Sequence, residues 1–266
     1  MVLEEHRIVG GAGEIAIHTA QGVAPAIVLV HGNSSDSSVW RSVVQHFRGH
    51  RIVAIDLRGH GRSDWARPPA YATADYADDI SAVIHALDLR DFVLVGHSNG
   101  ALAALSYAAF REPKPRRLVY IDVAPSVPEH QVSYFRQRAS AVARPYASLD
   151  KLVAGMVAVD PTVPVATFTD YAAGLVTPIE AGVKLGFDPE TYGSWQPANL
   201  WDALAGLACP LTVVRGSESQ VLSEADAERM RRVRPDARFV VVNGAGHFLM
   251  LTVPEQVAAI VLDGTD

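Results

Sequence analysis

The sequence is poor in cysteine, in runs of like charge and in long apolar runs, and each shortage closes off a class of protein. A single cysteine, Cys209, excludes any internal disulfide. It precedes an apolar run in ALACPLTVV, as a buried structural thiol does. The formal charge is −6 with both signs spread along the chain, so there is no electrostatic case for nucleic acid or an anionic membrane. No segment reaches the ~18 apolar residues of a membrane span. The opening stretch MVLEEHRIVGG lacks the basic and apolar regions of a secretory signal. A reduced, cytoplasmic setting is the default expectation. No internal repeat, low-complexity tract, P-loop, dinucleotide fingerprint or zinc-type spacing is present.

What is there is an ordinary globular composition, 49% hydrophobic and 20% charged, over 266 residues, which one α/β domain can account for. Short β-branched runs alternate with alanine-rich helical stretches, the pattern of a mostly parallel sheet covered by helices. Strands are expected at 7–9, 14–18, 26–32, 50–61, 92–98, 116–125, 210–216 and 237–247. Helices are expected at 39–47, 74–87, 99–110, 223–233 (with Ser223 as N-cap) and 254–262. The interval 126–206 breaks the rhythm. It carries seven prolines, scattered aromatics and no convincing strand, so it reads as several short helices inserted between strands.

Three motifs carry chemistry. Gly96-His97-Ser98-Asn99-Gly100 lies between an expected strand and an expected helix. A chain turning that abruptly needs small residues two before and two after the exposed serine. Ser98 then sits at a helix N-terminus, where backbone N–H groups favour developing negative charge. In His31-Gly32-Asn33 a strand runs into a glycine, and the N–H of Asn33 can pair with that of Asn99 to hold an oxyanion. In Gly244-Ala245-Gly246-His247 a glycine-flanked loop after the last strand is expected to be mobile and exposed enough to bring His247 to the serine.

HGN (31–33), DLRGHGRSD (56–64), GHSNG (96–100) and GAGH (244–247), in this order, resemble the α/β-hydrolase superfamily over nearly the whole chain. The resemblance implies an eight-stranded, mostly parallel sheet flanked by helices, with a helical cap after the sixth strand. The core would comprise 1–125 and 207–266, the cap 126–206. Serine at the elbow, where epoxide hydrolases and haloalkane dehalogenases carry aspartate, implies acyl transfer without a cofactor or metal. Ser98 is then the nucleophile and His247 the general base.

The acid that orients the histidine departs from the pattern. After the seventh strand, where the family usually places it, the chain reads Gly216-Ser217-Glu218-Ser219-Gln220, and the expected positions hold Ser219 and Gln220. Asp122, ending the sixth strand, occupies an alternative position used by some members and is favoured; Glu218 is the rival. Asp56, Arg58 and Asp64 are expected to pin the 56–64 loop. The aromatics of 126–206 are expected mostly to pack, with some lining an apolar pocket for a small, apolar or aromatic ester-like molecule. The leading activity is hydrolysis of a carboxylic ester or lactone. A C–C bond hydrolase or cofactor-free dioxygenase using His247 and Asp122 is kept beside it, as is a non-catalytic ligand-binding protein. Oligomeric state is not legible.

Overall fold

The computed structural model describes residues 3–263; Met1, Val2 and residues 264–266, at the two ends of the expected core, lie outside the described residues. Eight strands form one sheet: β1 (Glu4–Gly10), β2 (Gly13–Ala20), β3 (Val23–Val30), β4 (His50–Ile55), β5 (Phe92–His97), β6 (Arg117–Ile121), β7 (Leu211–Gly216) and β8 (Arg238–Val242). Their spatial order is β1-β2-β4-β3-β5-β6-β7-β8. β2 runs antiparallel to both β1 and β4, and every later pairing is parallel.

The period of two along the central strands decides the layers. Val28 and Val30 of β3, Leu94 of β5 and Tyr120 of β6 face one apolar cluster. Ile27, Leu29, Val95 and Ile121 face the other. The first face is covered by α1 (Thr73–Ala86), α2 (Asn99–Phe110) and, further along the chain, the helix Glu224–Val233. The second is covered by short turns after β3 and by the C-terminal helix Pro254–Leu262. Ser223 caps its helix by accepting from the N–H of Asp226. Cys209 is buried, and burial pushes its thiol pKa up.

Two expectations need correction. Residues 39–47 form no α-helix but two 3₁₀ turns, Ser37–Trp40 and Val43–His46. Val39, Val43 and Val44 are stiff at χ1 and all buried, so packing against the sheet overrides a weak helical preference. The inserted segment between β6 and β7 is also not purely helical. It contains α3 (Glu129–Val142), α4 (Leu149–Val159) and α5 (Val165–Leu175), then a hairpin of Val176–Ile179 against Gly182–Leu185. Val176, Thr177, Ile179 and Val183 favour strand, and Gly182 supplies the positive φ of 127° at the turn. Trp195–Gln196 adds a short parallel pairing with Tyr71–Ala72.

The parallel strands share a register that aligns their carboxyl ends. Val30 lies beside Gly96, His97 beside Ile121, Ile121 beside Val214, and Gly216 beside Val242. The segments that follow these five strands therefore emerge along one edge, where ligands bind in open α/β sheets.

Candidate active site

Ser98 joins β5 to α2 with φ 53° and ψ −124°. This left-handed, non-glycine backbone is held from every side. The Ser98 N–H donates to Ile121 O (2.9 Å), and Ser98 O accepts from Ala101 N–H and Leu102 N–H. A Cβ at Gly96 would lie 2.5 Å from Gly100 O, and one at Gly100 would lie 2.2 Å from His31 O. The small residues are thus required by backbone crowding, as the motif implied. Gly32 brings its own backbone against the serine, since a Cβ there would meet Ser98 Cβ at 2.9 Å.

Across this turn lie the two asparagines. The backbone N–H groups of Asn33 and Asn99 donate to no acceptor among the described residues. The Asn99 amide is one of the free donors of the first turn of α2. Its side chain is fixed separately, with Oδ1 accepting from Trp195 Nε1 (3.0 Å) in the inserted segment.

His247 and Asp122 are in contact. The imidazole Nδ1–H donates to Asp122 Oδ2 at 2.8 Å, leaving Nε2 as the basic nitrogen. Asp122 is fully buried and adopts φ 58° just past β6. Its Oδ1 accepts from Gly216 N–H (3.2 Å) and its Oδ2 from Ser219 Oγ–H (2.5 Å). Three donors thus satisfy one buried carboxylate. Glu218 does not join them. It is exposed, with Oε1 accepting from Ser217 Oγ–H (2.9 Å). Nor does the Ser98 hydroxyl hydrogen-bond to His247 in this structure.

The histidine is less exposed than expected, although Asn243 and Gly244 of its loop are exposed. The His247 side chain is 11% exposed. Its carbonyl accepts from His97 Nε2–H (2.9 Å), and burial beside His247 holds His97 neutral, far below the usual imidazole range. Its neighbours Gly246 and Phe248 donate their N–H groups to Thr162 and Asp160 of the inserted segment. Gly246 is there for close approach rather than for freedom, since a Cβ would strike Asp160 Oδ1 at 2.2 Å.

Sequence reasoning missed three residues at this site. Ser219 was noted only as unable to replace the acid; its role as donor to Asp122 follows from β6 and β7 being neighbours. His97 has no role in the sequence reading beyond its place in the Gly96–Gly100 motif, and Trp195 falls among the aromatics expected to pack. Trp195 belongs to a ring cluster with Phe135 (5.1 Å) and, through it, Tyr192 (4.9 Å). Phe248 packs on Phe168 (5.6 Å) beside His247. A cleft of about 260 Å³ is lined by residues that include Ser34, Asp36, Arg62, Leu175 and Phe187; Ser98 is not among them.

A model of the alpha/beta hydrolase family matches residues 27–260. The chain belongs to this family. Among members of the alpha/beta hydrolase family, it is 28% identical over 249 residues to the 2-(acetamidomethylene)succinate hydrolase of Mesorhizobium japonicum, covering 91% of this chain and 89% of the relative. It is 26% identical over 267 residues to the esterase Rv0045c of Mycobacterium tuberculosis, covering 94% and 86%. The crystal structure of E-2-(acetamidomethylene)succinate hydrolase superposes with a TM-score of 0.87 at 26% identity, covering 98% of each chain. The protein is accordingly a hydrolase of this fold, and no helix among the described residues is long and apolar enough to cross a membrane.

Proposed function

We propose that the protein is a serine hydrolase that cleaves a carboxylic ester or lactone through an acyl-enzyme on Ser98. The observation that carries this reading is the buried Asp122–His247 hydrogen bond beside a serine strained into the strand-to-helix turn. Ser98 Oγ attacks the substrate carbonyl while its proton passes to His247 Nε2. The oxyanion is received by the N–H groups of Asn33 and Asn99. The tetrahedral centre collapses, the C–O bond to the alcohol breaks, and His247 returns its proton to the leaving oxygen. Water activated by the same nitrogen then cleaves the acyl-serine. Asp122 holds the tautomer and stabilises the imidazolium throughout. These steps call on no cofactor or metal.

The inserted segment, 126–206, acts as a lid over this edge of the core formed by 1–125 and 207–266. Its Trp195, Tyr192 and Phe135 rings supply an apolar wall suited to an apolar or aromatic acyl or alcohol group. The relative named for hydrolysis of 2-(acetamidomethylene)succinate places acylated nitrogen compounds in the same screen.

Incubation with a fluorophosphonate, followed by peptide mass mapping, tests the reading without a guess at the substrate. A stoichiometric adduct on Ser98 that disappears in His247→Ala is the expected outcome. A folded protein that forms no adduct overturns it. One observation favours a second reading: His247 is already paired with Asp122 while its bond to Ser98 is unmade. In that reading the His–Asp pair deprotonates a diketone or aromatic substrate for C–C cleavage or oxygen addition. Oxygen uptake or C–C cleavage retained in Ser98→Ala would favour it.

A further inference from the structure

The inserted segment does more at the histidine than pack beside it. Phe248 N–H donates to Asp160 Oδ2 at 2.8 Å, and Gly246 N–H donates to Thr162 Oγ1 at 2.9 Å. The two acceptors are locked to each other. Thr162 donates both its hydroxyl (2.6 Å) and its backbone N–H (3.1 Å) to Asp160 Oδ1. Asp160 is 2% exposed, and Val163 beside the turn is buried in the core face that includes Leu249 and Met250. The residues before and after His247 are therefore gripped by one rigid turn that follows α4, while His97 holds the His247 carbonyl from the core side.

We propose that Asp160 and Thr162 are positioning residues for His247, so that the imidazole is aligned only while the 160–162 turn is docked. The inference rests on the reading of His247 as general base. Its physical basis is simple. Two fixed N–H groups flanking one residue define its backbone direction, and hence where its ring begins. An error of about 1 Å in a reacting group can cost on the order of 10²-fold in rate. Neither residue touches the reacting atoms. Without these acceptors the part-buried N–H groups of Gly246 and Phe248 would lose their partners in the protein.

Thr162→Val, Thr162→Ser and Asp160→Ala separate positioning from general structure. Valine keeps the shape and removes the hydroxyl; serine restores it. In Thr162→Val the rate of Ser98 phosphonylation and kcat for a p-nitrophenyl ester should fall about tenfold or more, with KM within about twofold. Thr162→Ser should recover to within about threefold, and Asp160→Ala should match or exceed the valine loss. Nitrogen NMR of the His247 ring gives a readout independent of the serine. The wild type should show the Nδ1-protonated tautomer alone, and Thr162→Val a mixture. A valine variant with wild-type ring signals and wild-type phosphonylation overturns the proposal. An unreactive wild-type Ser98 with a tautomer that is released in Thr162→Val sinks the hydrolase reading while supporting the clamp.

Discussion

Ser98 holds a backbone conformation that costs of order 1–3 kcal/mol for a residue with a Cβ. Ser98→Ala removes the hydroxyl and keeps this strain, whereas Ser98→Gly removes both, at an entropic cost of about 0.5–1 kcal/mol. The glycine variant should therefore melt above the alanine variant by about 2–4 °C in calorimetry, with both inactive. At Asp122 the expected losses are graded. Asp122→Asn should lower kcat by roughly 10⁴ if the serine-protease precedent holds. Ser219→Ala, which deletes one charge-assisted donor, should lower it about tenfold. Glu218→Gln should stay within about twofold, because its carboxylate serves only Ser217. A collapse in Glu218→Gln with normal Asp122→Asn rates would reverse the acid assignment. Asp122 was legible as a candidate because an aspartate ended a strand in the right chain order. Ser219 as its donor was not, since the bond depends on which strands are neighbours, and spacing along one chain does not report that.

Among the elements, the loop after β4 illustrates how a motif becomes a brace. Asp56 accepts from Ser37 N–H (2.8 Å) and Arg62 N–H (3.0 Å), and lies against His18 Nε2 (3.3 Å). Burial alone would raise the Asp56 pKa. The bonds from His18, Ser37 and Arg62, with the nearby His31, outweigh it and hold the carboxyl well below the usual range. The same contact raises His18, chiefly through its hydrogen bond to Asp56. A lowered acid stabilises above its unfolded pKa and loses that contribution as pH falls through the folded value. A raised histidine stabilises below its unfolded pKa and loses it as pH rises. The pair should therefore contribute most between about pH 4 and 6.5. Melting curves of wild type and His18→Asn should differ most in that window and converge toward pH 8; a constant gap would disprove the linkage. Two residues on, Arg58 makes a two-pronged ion pair with Asp79 of α1, both bonds 2.6 Å and both side chains buried. Breaking it with Asp79→Ala should cost about 3–5 kcal/mol in urea unfolding. The bracing role of Asp56 and Arg58 was readable in the sequence, and so were α2 and the C-terminal helix to the residue. The hairpin at 176–185 was not, because Pro178 and its neighbours read as breakers until a partner strand is supplied.

At the scale of the whole molecule, the chain builds six strands of its sheet, departs through residues 126–206, and returns to add β7, β8 and the histidine loop. The layered architecture was legible because short β-branched runs alternate along the chain with alanine-rich helical stretches. The docking of the excursion was not, because it is written in single long-range bonds such as Trp195 to Asn99 and Asp188 N–H to Gly59 O. The tip of the hairpin in that excursion, Pro178 to Ala181, is exposed. Exposed tips of this kind accept a break in the chain. A break there divides the molecule into one piece carrying Ser98 and Asp122 and another carrying His247. Neither piece holds all three residues of the proposed triad, so turnover should appear only on reassembly, and the hydrolase would serve as a split reporter whose signal counts the encounter of its own two halves.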